Sequence, residues 1–158
     1  MVAAAVTATA TIPAVTAAVA SVLAATGGTL DAVVANAGIR EAGAFEETPA
    51  VDLKRLFDVN LGGAMHLTRA ALPALRSTPD SRIVVVSSAG GLSALPGLAA
   101  YCGSKWALEG WAESLAHEMV PLGVGVSVVN ALSDFLKLKI HRNGQVHEME
   151  SVSYTHLT

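Results

Sequence analysis

Apolar positions recur in two different ways along this chain. Val15, Ala18, Val19, Val22 and Leu23 fall at the three-and-four spacing of one helix face. Thr11 as cap and Pro13 in the first turn predict where that helix starts, and Gly27-Gly28 where it stops. A second stripe, Leu53, Leu56, Phe57, Ala64, Leu67 and Ala71, follows Thr48-Pro49, which repeats the start signature. A third helix is predicted from near Pro96-Gly97 to near Pro121-Leu122-Gly123. Between the helices lie apolar runs with no alternation: residues 30–35, 81–87 (holding Ile83-Val84-Val85-Val86) and 124–129. Such runs predict strands buried on both faces, as in a parallel sheet. Strands alternating with helices imply βαβ units with right-handed crossovers. Residues 2–6 fit a strand or a helix equally. After Asn130 the pattern decays: a short helix is predicted from Asp134 to Ile140, and residues 141–158 read as an irregular tail.

Composition narrows the function classes. The 158 residues suit one domain, and 52% hydrophobic against 15% charged residues supports a large core rather than disorder. A net charge of -3 and the lack of any Lys/Arg run argue against nucleic acid and against a membrane surface as partners. The first charged residue is Asp31, so an export or spanning segment has to be weighed. The stretch before it has no Lys or Arg, is richer in Ala, Thr and Val than in Leu and Ile, and is interrupted by Pro13. It reads better as elements of a buried-sheet protein. The single cysteine, Cys102, cannot form an internal disulfide, which fits a reducing compartment, and a cytoplasmic location is expected.

The chemistry-bearing residues cluster near strand ends. Tyr101 and Lys105 are four apart at the start of the third helix, on one face. A phenol is an indifferent acid or base near neutrality, and an ammonium one turn away stabilises the phenolate. Such a pair can exchange a proton with a hydroxyl or carbonyl oxygen, although an exposed, inert pair has the same spacing. Ser88 ends the 81–87 run, where open α/β sheets bind ligands. A loop with Gly90, Gly91, Pro96 and Gly97 can bring it beside Tyr101, or Ser88 can simply cap that loop. Asn60 sits on an apolar stripe and needs partners if buried. It can be satisfied by nearby backbone, or its amide or carbonyl can hold a water beside Lys105. Gly62-Gly63 make a local helix distortion plausible there. Asn36, Ala37 and Gly38 follow the 30–35 run, where small residues admit a ligand to the backbone. The five histidines form no close ligand pair, so no metal site is expected. Trp106 and Trp111 read as core or subunit-interface residues, and Cys102 as a packing residue.

Together, Asn36-Ala37-Gly38-Ile39, Asp58-Val59-Asn60, Ser87-Ser88-Ala89-Gly90-Gly91 and Pro96-Gly97-Leu98-Ala99-Ala100-Tyr101-Cys102-Gly103-Ser104-Lys105 resemble the classical short-chain dehydrogenase/reductase family in wording, order and spacing, over about residues 12 to 130. The resemblance implies an α/β fold: an incomplete Rossmann-like, doubly wound parallel sheet occupying residues 1–140. It implies an NAD(P)-dependent oxidoreductase acting on a small-molecule secondary alcohol or ketone, with NAD or NADP as cofactor. Tyr101 is then the acid/base, Lys105 the ribose ligand that stabilises the phenolate, Ser88 a substrate-orienting donor and Asn60 a support of the proton relay. Asn36, Ala37 and Gly38 line the cofactor site, together with Tyr101 and Lys105. The helices over residues 49–75 and 97–119 resemble the family's dimer faces, so a complete protein is expected to be a homo-oligomer.

The chain also departs from the family. No glycine-rich phosphate turn stands before Asn36, and the first two βα units are missing, so the cue that separates NAD from NADP is absent. Ala131-Leu132 replace the expected Pro-Gly, and residues 151–158 resemble translated adaptor or vector sequence. These departures predict that residues 30–35 form an edge strand or pair with residues 2–6; two further strands between them would refute this. Two other readings stay open: a catalytically inactive fragment or degenerate paralogue acting through helix association, and a nucleotide-sugar epimerase or dehydratase sharing the Tyr/Lys pair.

Overall fold

The structure, a computed structural model, describes residues 11–131, 135–142 and 145–152. Helix α1 (Ile12–Ala25) carries Pro13 in its first turn, although the Thr11 hydroxyl makes no capping bond. Gly27 and Gly28 end it, with φ of 66° and 87°. That left-handed backbone brings the Gly28 amide back to the Leu23 carbonyl at 2.8 Å, closing the last turn.

Strands β1 (Ala32–Ala35), β2 (Arg82–Ser88) and β3 (Gly125–Ala131) form one parallel sheet in the order β1-β2-β3. Parallel neighbours require a crossover each. The first is a helical segment made of α2 (Ala50–Phe57), a π-helical turn (Asp58–Gly62) and α3 (Gly63–Ser77). The second is α4 (Ala99–Met119), which passes through a short 3-10 turn to Gly123 at φ 71°. The unbroken apolar runs are explained by burial on both faces. Val33, Ala35, Ile83 and Val85 join α1, α3 and α4 in the main core, while Val34, Val84 and Val86 form a second cluster with Val129. Among the described residues β1 pairs with β2 alone, and no further strand stands between residue 11 and β1. Residues 2–6, the other candidate neighbour, lie outside the described residues.

Two expectations need correction. Thr48 does not cap the second helix: Pro49 holds the cap position, its carbonyl accepting from Asp52 and Leu53, while the Thr48 hydroxyl turns back to the Ala44 carbonyl at 3.2 Å. The short helix predicted at Asp134 to Ile140 is a strand over its described residues, 135–140, and the described part of the tail is not irregular. β4 (Phe135–Arg142) and β5 (Gln145–Val152) pair antiparallel as a separate two-stranded sheet. The physical signal is the period-two alternation of Leu136, Leu138 and Ile140 with Lys137, Lys139 and His141. The register sets Lys137 opposite Glu150 and Lys139 opposite Glu148. Asn143-Gly144, the dipeptide that most favours a tight hairpin, stands between the two runs. Residues 153–158 lie outside the described residues.

Candidate active site

Helix α4 begins just after the loop that leaves β2, so Tyr101 and Lys105 sit at the carboxyl end of the sheet. Lys105 is not an exposed partner of Tyr101. Only 5% of it reaches solvent, because the helix start is built of Ala, Cys, Gly and Ser and lies close against the strand ends. Its ammonium donates to the Val86 carbonyl of β2 at 3.1 Å and lies 6.0 Å from the centre of the Tyr101 ring. Burial lowers the lysine pKa from 10.5 to about 8, and the negative charge of Glu109, one turn further on, opposes that fall. An ammonium has three protons to donate, and among the described residues one is taken.

Asn60 occupies the π-helical turn and is 1% exposed. Its side chain accepts from the Ile39 amide at 2.8 Å and donates to the Ile39 carbonyl at 3.0 Å and to Ser104 Oγ at 2.9 Å. Ser104 in turn donates to the Tyr101 carbonyl at 2.7 Å. One amide therefore fastens the loop after β1 to the helix that carries Tyr101 and Lys105. Gly38 belongs to that loop. A β-carbon there would lie 3.4 Å from Asn60 Oδ1 and 3.6 Å from Lys105 Nζ, so the missing side chain leaves the space over the ammonium open. Asn36 and Ala37 precede it, half-buried.

Ser88, the last residue of β2, accepts a hydrogen bond from the Gly90 amide at 3.2 Å. This is the capping arrangement that the sequence allows, and it leaves the hydroxyl's own proton available. Gly90 packs against the Tyr101 ring so closely that a β-carbon would lie 3.0 Å from Cε1. The loop is further held to its neighbour by the Gly43 amide, which donates to the Gly97 carbonyl at 2.9 Å.

The structure thus brings Gly38, Asn60, Tyr101 and Lys105 together, with Ser88 joined to them through Gly90. Sequence reasoning missed the Val86 carbonyl, Ser104, Glu109 and Asn130. A serine three residues after Tyr101 in an otherwise apolar turn was the available sign for Ser104; a backbone acceptor such as Val86 leaves no sign in a sequence. Cys102 is buried with its thiol toward the Ser93 carbonyl at 3.9 Å, Trp111 packs on the core, and Trp106 is 55% exposed. Among the described residues there is no group of His, Cys, Asp or Glu that could hold a metal ion, and no helix is long and apolar enough to cross a membrane.

Known proteins share both the sequence pattern and the fold. The family model described as short chain dehydrogenase matches residues 1–132. The chain is 37% identical over 100 residues to an uncharacterized oxidoreductase, YusZ, of Bacillus subtilis, covering 63% of this chain and 36% of that protein. It is 38% identical over 104 residues to 17-beta-hydroxysteroid dehydrogenase type 1 of Homo sapiens, covering 66% of this chain and 32% of that one. Among solved structures, a short-chain dehydrogenase from Streptomyces avermitilis matches with a TM-score of 0.71 at 38% identity, covering 76% of this chain and 44% of that one. A metagenomic short-chain oxidoreductase in complex with NADP matches with a TM-score of 0.71 at 33% identity, covering 78% of this chain and 56% of that one. The chain spans about a third of the length of these two curated relatives. The strand order, the buried lysine one turn from a tyrosine and the family match agree, and the chain belongs to the short-chain dehydrogenase family.

Proposed function

We propose that this chain supplies the acid/base half of an NAD(P)-dependent oxidoreductase that interconverts a secondary alcohol and a ketone. The observation that carries the reading is Lys105: a charged group buried to 5% exposure, with one protein acceptor among the described residues, beside a glycine that keeps the space over it open. A buried ammonium is costly unless its charge is used. These residues fit a dinucleotide's nicotinamide ribose: Lys105 and Tyr101 would donate to its hydroxyls, and Asn36, Ala37 and Gly38 would line its site. When bound, the nicotinamide supplies or accepts a hydride at its C4 carbon, so no metal is required.

The protein's part is the proton. In the reductive direction Tyr101 Oη donates its proton to the carbonyl oxygen, and in the oxidative direction it takes the alcohol proton. Lys105 stabilises the phenolate left behind. Ser88 keeps its acceptor bond to Gly90 and turns its own proton toward the reacting oxygen, orienting it and sharing its negative charge. Both amide protons of Asn60 are committed, to Ile39 and Ser104, and its oxygen holds the Ile39 amide, so its contribution through the side chain is to fix helix α4. Its main-chain carbonyl, in the widened turn, and Lys105 would hold the water that returns the proton to solvent. Phe57 and Trp106, both exposed large apolar side chains, suit self-association of the complete protein through α2 and α4.

The test is titration of the chain with NADH and with NADPH, following nicotinamide fluorescence. A saturable change that weakens in Lys105→Met is expected. No saturable change at millimolar concentrations of either nucleotide would refute the reading for this chain.

A further inference from the structure

A second polar cluster gathers at the base of the Ser88 loop, and the chemistry above does not use it. Glu109 lies on α4 one turn beyond Lys105, and Asn130 lies near the end of β3. With its amide nitrogen turned toward its oxygen neighbours, the orientation that satisfies the local bonding, Asn130 donates to Glu109 Oε1 at 2.8 Å and to the Ser88 carbonyl at 3.0 Å. Both amide protons are then committed, so the group has no alternative rotation of equal energy. The bond to the carboxylate is charge-assisted, the stronger kind. Glu109 also meets the loop directly. A β-carbon on Gly91 would lie 3.1 Å from Glu109 Cγ, 3.2 Å from Oε1 and 2.8 Å from Ser87 Oγ, so the backbone passes there too closely for a larger residue. Between Ser88 and Gly91 stands Gly90, the residue in contact with the Tyr101 ring.

We infer that Glu109 is a positioning residue: through the Asn130 amide it fixes the Ser88 main chain, and so the turn that sets the Ser88 hydroxyl beside Tyr101. This rests on the reading that Ser88 and Tyr101 serve one reacting oxygen. Glu109 touches no reacting atom itself. Its part is to hold three elements, α4, β2 and β3, in one relation at the point where the β2 chain leaves the sheet.

The experiment uses the full chain labelled with 15N. In Glu109→Leu the Asn130 side-chain protons are expected to lose their protection, and the amides of Gly90 and Gly91 to exchange about tenfold faster, the effect of losing one buried hydrogen bond. Glu109→Gln keeps an acceptor for Asn130 and restores the slow exchange. Gly91→Ala disturbs the same amides from the opposite side, and Asn130→Ala gives the same readout should Glu109→Leu not fold. With NADPH at saturation, the affinity for a ketone probe, acetophenone, falls about tenfold in Glu109→Leu and returns in Glu109→Gln. Unchanged exchange in Glu109→Leu would overturn the inference. So would a Glu109→Gln chain as disturbed as Glu109→Leu, which would assign the effect to charge. A wild-type chain that binds no NADPH would refute the proposed function, and the exchange data would still decide whether Glu109 holds Ser88.

Discussion

The two ends of the parallel sheet treat buried polar groups in opposite ways. At the amino end, Thr78 accepts from the Leu30 amide at 3.3 Å and donates to the Ala74 carbonyl at 2.9 Å, and Ser81 donates to the Leu75 carbonyl at 2.7 Å. These hydroxyls stitch the end of α3 to the strands, and each bond begins and ends within the protein. At the carboxyl end, Asn60 donates both amide protons and accepts one bond, yet among the described residues Lys105 uses one of its protons and the buried hydroxyl of Ser87 has no partner. Native proteins leave few buried polar atoms unpaired. Among the described residues the other such atom is Thr68 Oγ1, inside α3, and the carboxyl end of the strands is where open sheets of this kind bind ligands. The amino end closes its polar bonds within the protein, and the carboxyl end leaves donors over.

That contrast can be attacked by substitution. The largest expected effect is on Asn60→Ala, which strands the Ile39 amide, the Ile39 carbonyl and Ser104 together. It should destabilise the chain by roughly 3 kcal/mol in chemical denaturation. Asn60→Asp keeps only the acceptor and should fall between. A wild-type denaturation midpoint in Asn60→Ala would show that this amide is not the bracket described.

The next effect has the opposite sign. Lys105→Met removes a charge whose burial is unfavourable, so the variant should be more stable than the wild type, by about 2 kcal/mol at neutral pH once the lost bond to Val86 is counted. The gain depends on pH in a defined way. The folded pKa, about 8, lies below the value of 10.5 for a free lysine. Between those values the unfolded chain holds a proton that the folded chain has released, so wild-type stability rises with pH across that window. The advantage of Lys105→Met should therefore be full below about pH 8 and fade as pH rises toward 10.5. Thermal melts of both chains across that range provide the check; a constant difference would mean that charge burial is not the cause.

The smallest effect belongs to the amino end. Ser81→Ala, at a fully buried site, leaves the Leu75 carbonyl unpaired and should lower stability by about 1 kcal/mol with no change in nucleotide binding. If it weakened binding as Lys105→Met is expected to, the division between the two ends would fail.

Much of this was legible in the sequence, for reasons that can be named. Ile83 to Val86 announced a doubly buried strand because nothing in the run alternates, and Gly27-Gly28 announced a helix end because left-handed backbone favours glycine. Tyr101, Lys105, Asn60 and Gly38 stood out because the motifs around them resemble the family's in wording, order and spacing; residue type and spacing alone left inert readings open. What stayed hidden depends on contacts between distant segments. That Asn60 reaches Ile39, or that Asn130 reaches Glu109 and Ser88, follows from how the elements pack and not from any local pattern. The β4–β5 hairpin is different: its alternation and its Asn143-Gly144 were present, but a short apolar run fits strand or helix alike.

The π-helical turn has one more consequence. Leu56, Asn60 and Ala64 are all buried, at successive intervals of four. In a regular α-helix each such interval drifts by about 40° around the axis, so three buried residues in this series would begin to leave the protein's interior. The wider turn at Asp58–Gly62 takes up that drift, acting as one inserted residue that resets the phase of everything after it. A single deletion between 58 and 62 would therefore do more than shorten a helix. It would close the wide turn that now presents Asn60 to Ile39 and Ser104, and with it the bracket between the loop after β1 and α4.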